Sequence, residues 1–434
     1  MANLTDTVSN VARKQARLNS PLVALRQEEI PPYHQKSLHL QKYNLEPRRP
    51  CRSLNNFDKD TAHMTKPVTK TLPHQSMSLL SRLLLASPVD DDSSSPVMAE
   101  LKLEVRNISR DEFNELVKLA NSNHVIVRSM EAFLDMMHEA KDDIRAAWAQ
   151  TALAAEQARI ATALIFLEEI CSTFEYEKHE VAVIKSLDHW PDLGSDLDLY
   201  TSAKSEDISK LMVCRFGAQI ASRSWGDRLA GKWNFLIPGL PEAVEIHMGR
   251  LGQTGEQVTI ASHLLERTRR VMIGNQAFRV PSASDRLMIS TLQRMYRHFY
   301  FRLCDIVDSA ALVEMGSIDY LDLRSCATDA GIWEGVATYL VIVSDYVRKY
   351  RGAGLELPQI VTAAARFGGD EVYYAREFLR VPIMPQSARL YGSQLAGLVR
   401  KLELENGARL SLLPWLATAA LVGQRITGSD KGIW

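Results

Sequence analysis

The chain has 434 residues, 46% of them hydrophobic and 24% charged, with a formal net charge of −1. This is ordinary globular composition, long enough for two or three domains, and it gives no global field that would draw in nucleic acid or an anionic membrane. No stretch reaches the roughly 18–20 apolar residues of a membrane span, and the five cysteines (Cys51, Cys171, Cys214, Cys304 and Cys326) form no CxxC pair, which speaks against a zinc site or disulfide framework and for a reducing cytoplasm.

Residues 1–76 carry twelve Lys/Arg against six Asp/Glu and show no sustained hydrophobic period. They read as disordered. The tract Ser87-Pro-Val-Asp-Asp-Asp-Ser-Ser-Ser-Pro96 reads as a linker, and Met77–Leu85 between them is a short apolar segment without an assigned role. Residues 1–97 are therefore expected to be an N-terminal extension, with order beginning after Met98. Nothing at the N-terminus resembles the apolar core of a signal peptide.

Residues 98–175 are expected to be helical. Ser109-Arg-Asp-Glu112 is a capping box, after which Phe113, Leu116, Val117 and Ala120 share a face. A second helical region spans roughly Val125–Thr173, rich in Ala, Glu, Leu and Met. The period changes near residue 180. Val181–Ile184 predicts a buried strand, and Leu197 and Leu199 alternating with Asp196 and Asp198 predict another over 196–201. A helix is expected over Ser205–Cys214. Strands are expected over Ile220–Trp225 and Lys232–Ile237, around a turn at Gly226–Gly231. Val244–Met248 alternates again, with Glu245 and His247 on one face. From Pro281 the pattern is helical to the end, capped by Ser282 or Ser284. Leu410–Gly423 reads as a packed terminal helix. The expected fold is α+β: a small mixed sheet over 176–280, preceded by helices and followed by a helical domain over 281–434.

The chemistry concentrates at Gly194-Ser-Asp-Leu-Asp-Leu-Tyr200. In a strand, Asp196 and Asp198 point to one face with Cα atoms roughly 6.6 Å apart. Two carboxylates so placed can converge on a divalent cation, and oxygen ligands of this kind suit Mg²⁺, with Mn²⁺ as an alternative. Gly194-Ser195 permits close approach of backbone to a ligand. Ile184-Lys185-Ser186 ends the preceding strand, and Glu245 on a later strand can join the same face. Such an acidic set serves in-line phosphoryl transfer, in which positioning and charge neutralisation do most of the catalysis.

Ile184-Lys185-Ser186, nine intervening residues, and Asp196-Leu197-Asp198-Leu199 together resemble the polymerase-β-type nucleotidyltransferase superfamily. The pattern is most similar to a branch of uncharacterised bacterial nucleotidyltransferases, whose third acid lies in an Asp-Leu-His tripeptide. Here Glu245-Ile246-His247 stands in that place. Pro281–Asp285, His298 and Asp305-Ile-Val-Asp308 resemble the branch's downstream helical part, so the similarity spans roughly 150–370. Two positions depart from the pattern: Lys185 replaces the usual glycine, and the third acid is Glu rather than Asp.

The resemblance implies transfer of a nucleoside monophosphate from an NTP, ATP among them, to an acceptor hydroxyl with release of pyrophosphate. Asp196, Asp198 and Glu245 would be the metal-binding and catalytic acids. Lys185, Ser186, Gly194, Ser195 and His247 would contact the nucleotide. The acceptor would be a small molecule, an RNA end or a protein side chain, with no membrane involved. A catalytically silent nucleotide-binding or partner-binding module on the same fold is the alternative. Arg294, His298 and Arg302 recur at i+4 spacing, with Arg297 beside them. They read either as a phosphate-binding stripe or as a solvated face paired with Asp305 and Asp308. Met248–Glu256 is read as a glycine-rich loop, and Trp190 and Trp333 as core or pocket walls.

Overall fold

The computed structural model describes residues 72–86, 96–375, 377–416 and positions 418, 419 and 422. Residues 67–434 belong to one compact unit. The boundaries expected near 175 and 280 are thus changes of secondary structure within one body. The expectations for residues 1–71 and for the 87–95 linker lie outside the described residues.

Order begins earlier than expected. Helix α1 (Leu72–Leu85) buries Met77, Leu79, Leu80, Leu83 and Leu85 in the helical core. An apolar face of that size gains about 25 cal/mol per Å² on leaving water, which is why the segment is part of the fold. Helix α2 spans Pro96–Asn107, with proline in the first turn where its missing N–H costs nothing. Helix α3 (Arg110–Ser122) starts at the reciprocal Ser109–Glu112 capping box. The long helical region is two helices, α4 (Ile126–Ala140) and α5 (Asp143–Tyr176). Lys141 breaks the first in the left-handed conformation and Asp142 caps the second.

A five-stranded mixed sheet follows. Its strands are β1 (Val181–Val183), β2 (Asp196–Thr201), β3 (Gln219–Ile220), β4 (Lys232–Leu236) and β5 (Ala243–Met248), in the order β1-β2-β5-β4-β3. Strands β2 and β5 are parallel, and the other neighbours are antiparallel. Val181, Val183, Leu197, Leu199, Val244 and Ile246 form one apolar face. It packs on the second half of α5 through Ile160, Leu164, Leu167, Ile170 and Phe174. Helix α6 (Ser205–Phe216) also joins that core.

The strand expected over Ile220–Trp225 is corrected. Only Gln219–Ile220 pairs, and α7 (Trp225–Leu229) is a short helix closed by a Ser224–Asp227 capping box. The S-x-x-D spacing that caps it stands in the sequence. After α8 (Val258–His263), β6 (Thr268–Ile273) and β7 (Gln276–Pro281) form a hairpin around Gly274-Asn275. Gly274 has φ +58°, which a glycine adopts without strain.

The C-terminal part is not helical throughout, as had been expected. Helix α9 (Ala283–Thr291) is capped by Ser282 and runs into a π-helical turn at Leu292–His298. Phe299, in the left-handed region, ends that turn. Strands β8 (Tyr300–Phe301), β9 (Tyr373–Ala375) and β10 (Phe378–Arg380) make a small sheet. Helices α10 (Leu303–Glu314), α11 (Tyr320–Asp329) and α12 (Trp333–Arg351) complete the helical core. The packed helix expected over Leu410–Gly423 is also corrected where it is described, because Leu412 and Trp415 are exposed. Its remainder lies outside the described residues. Among the described residues, no helix is long and apolar enough to cross a membrane.

Candidate functional site

The sheet's second face meets the helical part at a cleft of about 190 Å³. One wall carries Lys185, Ser186, Gly194, Ser195, Asp196, Asp198 and Glu245, and the other carries Gln293, Arg294, Arg297, His298, Tyr300 and Arg302. Seven of the eight sequence-predicted site residues line this cleft. The eighth, His247, reaches Glu245 and Asp198 from behind and lines a smaller adjoining cavity with Lys185, Gln293 and Arg297.

The strand register explains the convergence. Asp198 pairs directly with Glu245 across the parallel β2–β5 ladder, while Asp196 pairs with Ala243. Alternation sends Leu197 and Leu199 into the core, so Asp196, Asp198 and Glu245 share the opposite face. Asp196 is exposed and accepts a hydrogen bond from Ser195 Oγ at 3.3 Å. Asp198 and Glu245 are largely covered.

Lys185 decides the local electrostatics. It sits at φ 61°, ψ −56°, and the Ser186 N–H donates to the Ile184 carbonyl at 2.6 Å. That is a three-residue γ-turn in the strained left-handed hand. Glycine would adopt it freely, whereas a lysine there costs about 1–3 kcal/mol. The turn puts Lys185 Nζ between Asp198, with which it pairs closely, and Glu245 at 3.4 Å. Lys232 pairs with the other oxygen of Glu245 at 2.8 Å, and His247 Nε2 lies 2.9 Å from the first. Burial works to raise the Glu245 pKa, but Lys185, the His247 hydrogen bond and Lys232 outweigh it and hold the group well below the ordinary carboxylate range. Burial raises Asp198 against the pull of Lys185, with Glu245 adding to the rise. Burial also pushes His247 down to about 4, despite its bond to Glu245.

Several expectations change in detail. Ser186 is buried, and its hydroxyl accepts from Asp198 N–H at 2.7 Å while donating to the Asp196 carbonyl at 3.1 Å. It stitches the turn to β2 rather than standing free for a phosphate. Both Glu245 oxygens are engaged, one by Lys185 and His247 and the other by Lys232. Glu242 and Glu256 are structural: the first pairs with Arg159, and the second accepts from the N–H and hydroxyl of Thr254. The Met248–Glu256 segment is a loop, as read from its glycines, and it is folded around the buried Glu256. An added Cβ at Gly252 would run into that carboxylate. Neither Trp190 nor Trp333 lines the cleft.

The opposite wall corrects the solvated-face reading of the arginine stripe. Arg294 is 1% exposed and pairs with Asp305 at 2.7 Å, yet its Nη1 has no hydrogen-bond partner. Arg302 also has an unpartnered Nε. It does not continue the helix of Arg294 and His298 but caps α10, after β8. Burial and then Arg297, Arg294 and Arg302 keep His298 neutral, its pKa far below the usual value. His124 and His189 line the cleft too. Sequence reasoning did not single them out, because residues 65 and more positions apart carry no local signal.

On the sheet wall, Asp198, Glu245 and His247 offer ligand atoms within 4.8 Å of one another, a group that could hold a metal ion. Asp196 is open to the cleft, and the buried Asp198 Oδ1 has no hydrogen-bond partner but pairs with Lys185 and lies 3.9 Å from His247 Nε2. Mg²⁺ commonly takes one or two carboxylates and completes its shell with water and substrate phosphates. Compared with known proteins, the chain matches no family model and no curated protein sequence.

Proposed function

We propose that this chain is a metal-dependent nucleotidyltransferase that transfers a nucleoside monophosphate from an NTP to an acceptor hydroxyl. The observation that carries the reading is the facing of two unlike walls. The acids of β2 and β5 stand opposite Arg294, Arg297 and Arg302 across one cleft. A triphosphate has the charge and length to lie between them, with its oxygens toward the arginines. When bound, the cation would neutralise charge developing on the transferred phosphoryl group.

Asp196 and Asp198 would hold Mg²⁺ or Mn²⁺. Lys185, fixed by Asp198 and Glu245, adds a positive charge beside them. Arg294 and Arg297 would orient the β- and γ-phosphates. The acceptor oxygen forms a bond to the α-phosphorus as the bond to the bridging oxygen breaks. Pyrophosphate leaves, and the acceptor's proton passes to a cleft carboxylate or water. A cytoplasmic location goes with NTP as substrate.

One observation favours a second reading. The Lys185 ammonium already stands between two of the acids, where a cation's charge would otherwise fall. A silent nucleotide-binding module would keep the cleft while losing the reaction. A transfer assay separates the two: the protein, Mg²⁺ or Mn²⁺, each α-labelled NTP and a cell extract as acceptor source. The enzyme gives metal-dependent label transfer and pyrophosphate, both lost in Asp196→Asn/Asp198→Asn. NTP binding with neither product supports the silent module, and neither binding nor transfer rejects both.

A further inference from the structure

Beside Gly194, against which His124 packs, a second group of side chains converges: His124, His189 and Cys304. One ligand atom from each lies within 4.8 Å of the others. Cys304 is fully buried at the start of α10, His189 is buried at the end of the turn that follows Lys185, and His124 precedes α4. Cys304 Sγ lies 3.8 Å from His189 Nε2. Two such atoms bound to one tetrahedral zinc, at ~2.3 and ~2.05 Å, would be ~3.6 Å apart.

The surroundings also suit a metal. The other ring nitrogen of His189, Nδ1, lies 2.5 Å from Asp308 Oδ2, and Arg128 holds Asp308 in turn at 2.7 Å. A carboxylate behind a ligating histidine fixes its tautomer and orientation. His124 Nδ1 is buried with no hydrogen-bond partner. Hydrogen bonding within the protein therefore accounts for His189, which reaches Asp308 and Cys304, and leaves His124 Nδ1 without a partner.

We propose that His124, His189 and Cys304 form a three-ligand site for a soft or borderline divalent cation, Zn²⁺ by ligand type, on the wall of the cleft. Two imidazoles and a thiolate select such a metal, whereas the carboxylates of β2 select Mg²⁺. Binding releases the Cys304 thiol proton and any proton on His189 Nε2 to solvent. Both histidines line the cleft, so the fourth coordination position faces it and takes water or an oxygen of a bound molecule. The site is independent of the nucleotidyltransferase reading and stands or falls without it.

The test uses the full chain, stripped of metal by chelator and titrated with Co²⁺ in place of zinc. The expected result is a thiolate-to-cobalt charge-transfer band that saturates near one equivalent, is abolished by Zn²⁺ and is untouched by excess Mg²⁺. Cys304→Ser should remove the band. His124→Ala, at a half-buried position, should weaken Co²⁺ binding by about 10-fold or more, and it carries the test if Cys304→Ser does not fold. A wild-type protein without the band overturns the proposal. So does a band that survives Cys304→Ser, or Co²⁺ affinity unchanged in His124→Ala.

Discussion

The two walls of the cleft meet their charges in different ways. On the sheet wall, Glu245 is held by Lys185, Lys232 and His247, and Asp198 by Lys185. On the helical wall, Arg294 keeps an unpartnered Nη1 and Arg302 an unpartnered Nε. A buried guanidinium donor without an acceptor is costly in a folded protein, on the order of 1–3 kcal/mol or more. The contrast teaches that the sheet-wall acids are held by the protein's own cations, although Asp198 Oδ1 and His247 Nδ1 lack hydrogen bonds there, while the helical wall keeps guanidinium donors that, on the proposed function, an anion from outside would meet.

The largest expected effect tests whether the sheet wall does chemistry at all. Asp196→Asn/Asp198→Asn should lower transfer by at least about a thousandfold, several kcal/mol of lost charge stabilisation, with the fold intact. Labelled-product counting beside a thermal melt checks it. Next comes the anchoring of the helical wall. Arg294→Ala leaves Asp305 buried and uncompensated and should cost about 3–5 kcal/mol of stability, read by urea denaturation. A loss under 1 kcal/mol would mean that Asp305 finds another partner and that Arg294 is not the wall's keystone.

Ser186→Ala should cost about 1–3 kcal/mol, because the buried Asp198 N–H loses its acceptor. If the variant instead loses NTP affinity at full stability, Ser186 is a phosphate ligand after all and the contrast between the walls weakens. The smallest effect is expected of Arg297→Ala. Its half-buried side chain should matter to binding more than to folding, raising KM for NTP about tenfold, or roughly 1.4 kcal/mol, with little change in melting temperature. An unchanged KM would take Arg297 out of the phosphate cradle.

The sheet wall was legible in the sequence, and the helical wall only in part, as the stripe of Arg294, Arg297, His298 and Arg302. Period-two alternation over 196–201 and 244–248 is local, so it fixed which faces Asp196, Asp198, Glu245 and His247 share. Lys185 stood out as a departure from a glycine position, and its positive φ explains why glycine is usual there. On the other wall, i+4 spacing suggested one helix for Arg294, His298 and Arg302. The π-helical turn and left-handed Phe299 break that helix, and Arg302 returns to the cleft only because β8 turns the chain back. No local period reports such a return. The same applies to α1, whose burial depends on partners far along the chain. By contrast, the Ser224–Asp227 capping box and the Gly274-Asn275 turn were local signals present in the sequence.

The most direct test of the central claim, that the cleft holds a metal–NTP complex between its two walls, is calorimetric titration of NTP into the full chain with and without Mg²⁺. The account predicts binding that requires Mg²⁺, is abolished by Asp196→Asn/Asp198→Asn on one wall and is weakened about tenfold by Arg297→Ala on the other. At an NTP concentration about 100 times Kd, the same complex should stabilise the protein by about 2.7 kcal/mol. No binding of any NTP would contradict the account, as would an affinity equal with and without Mg²⁺ and indifferent to both walls.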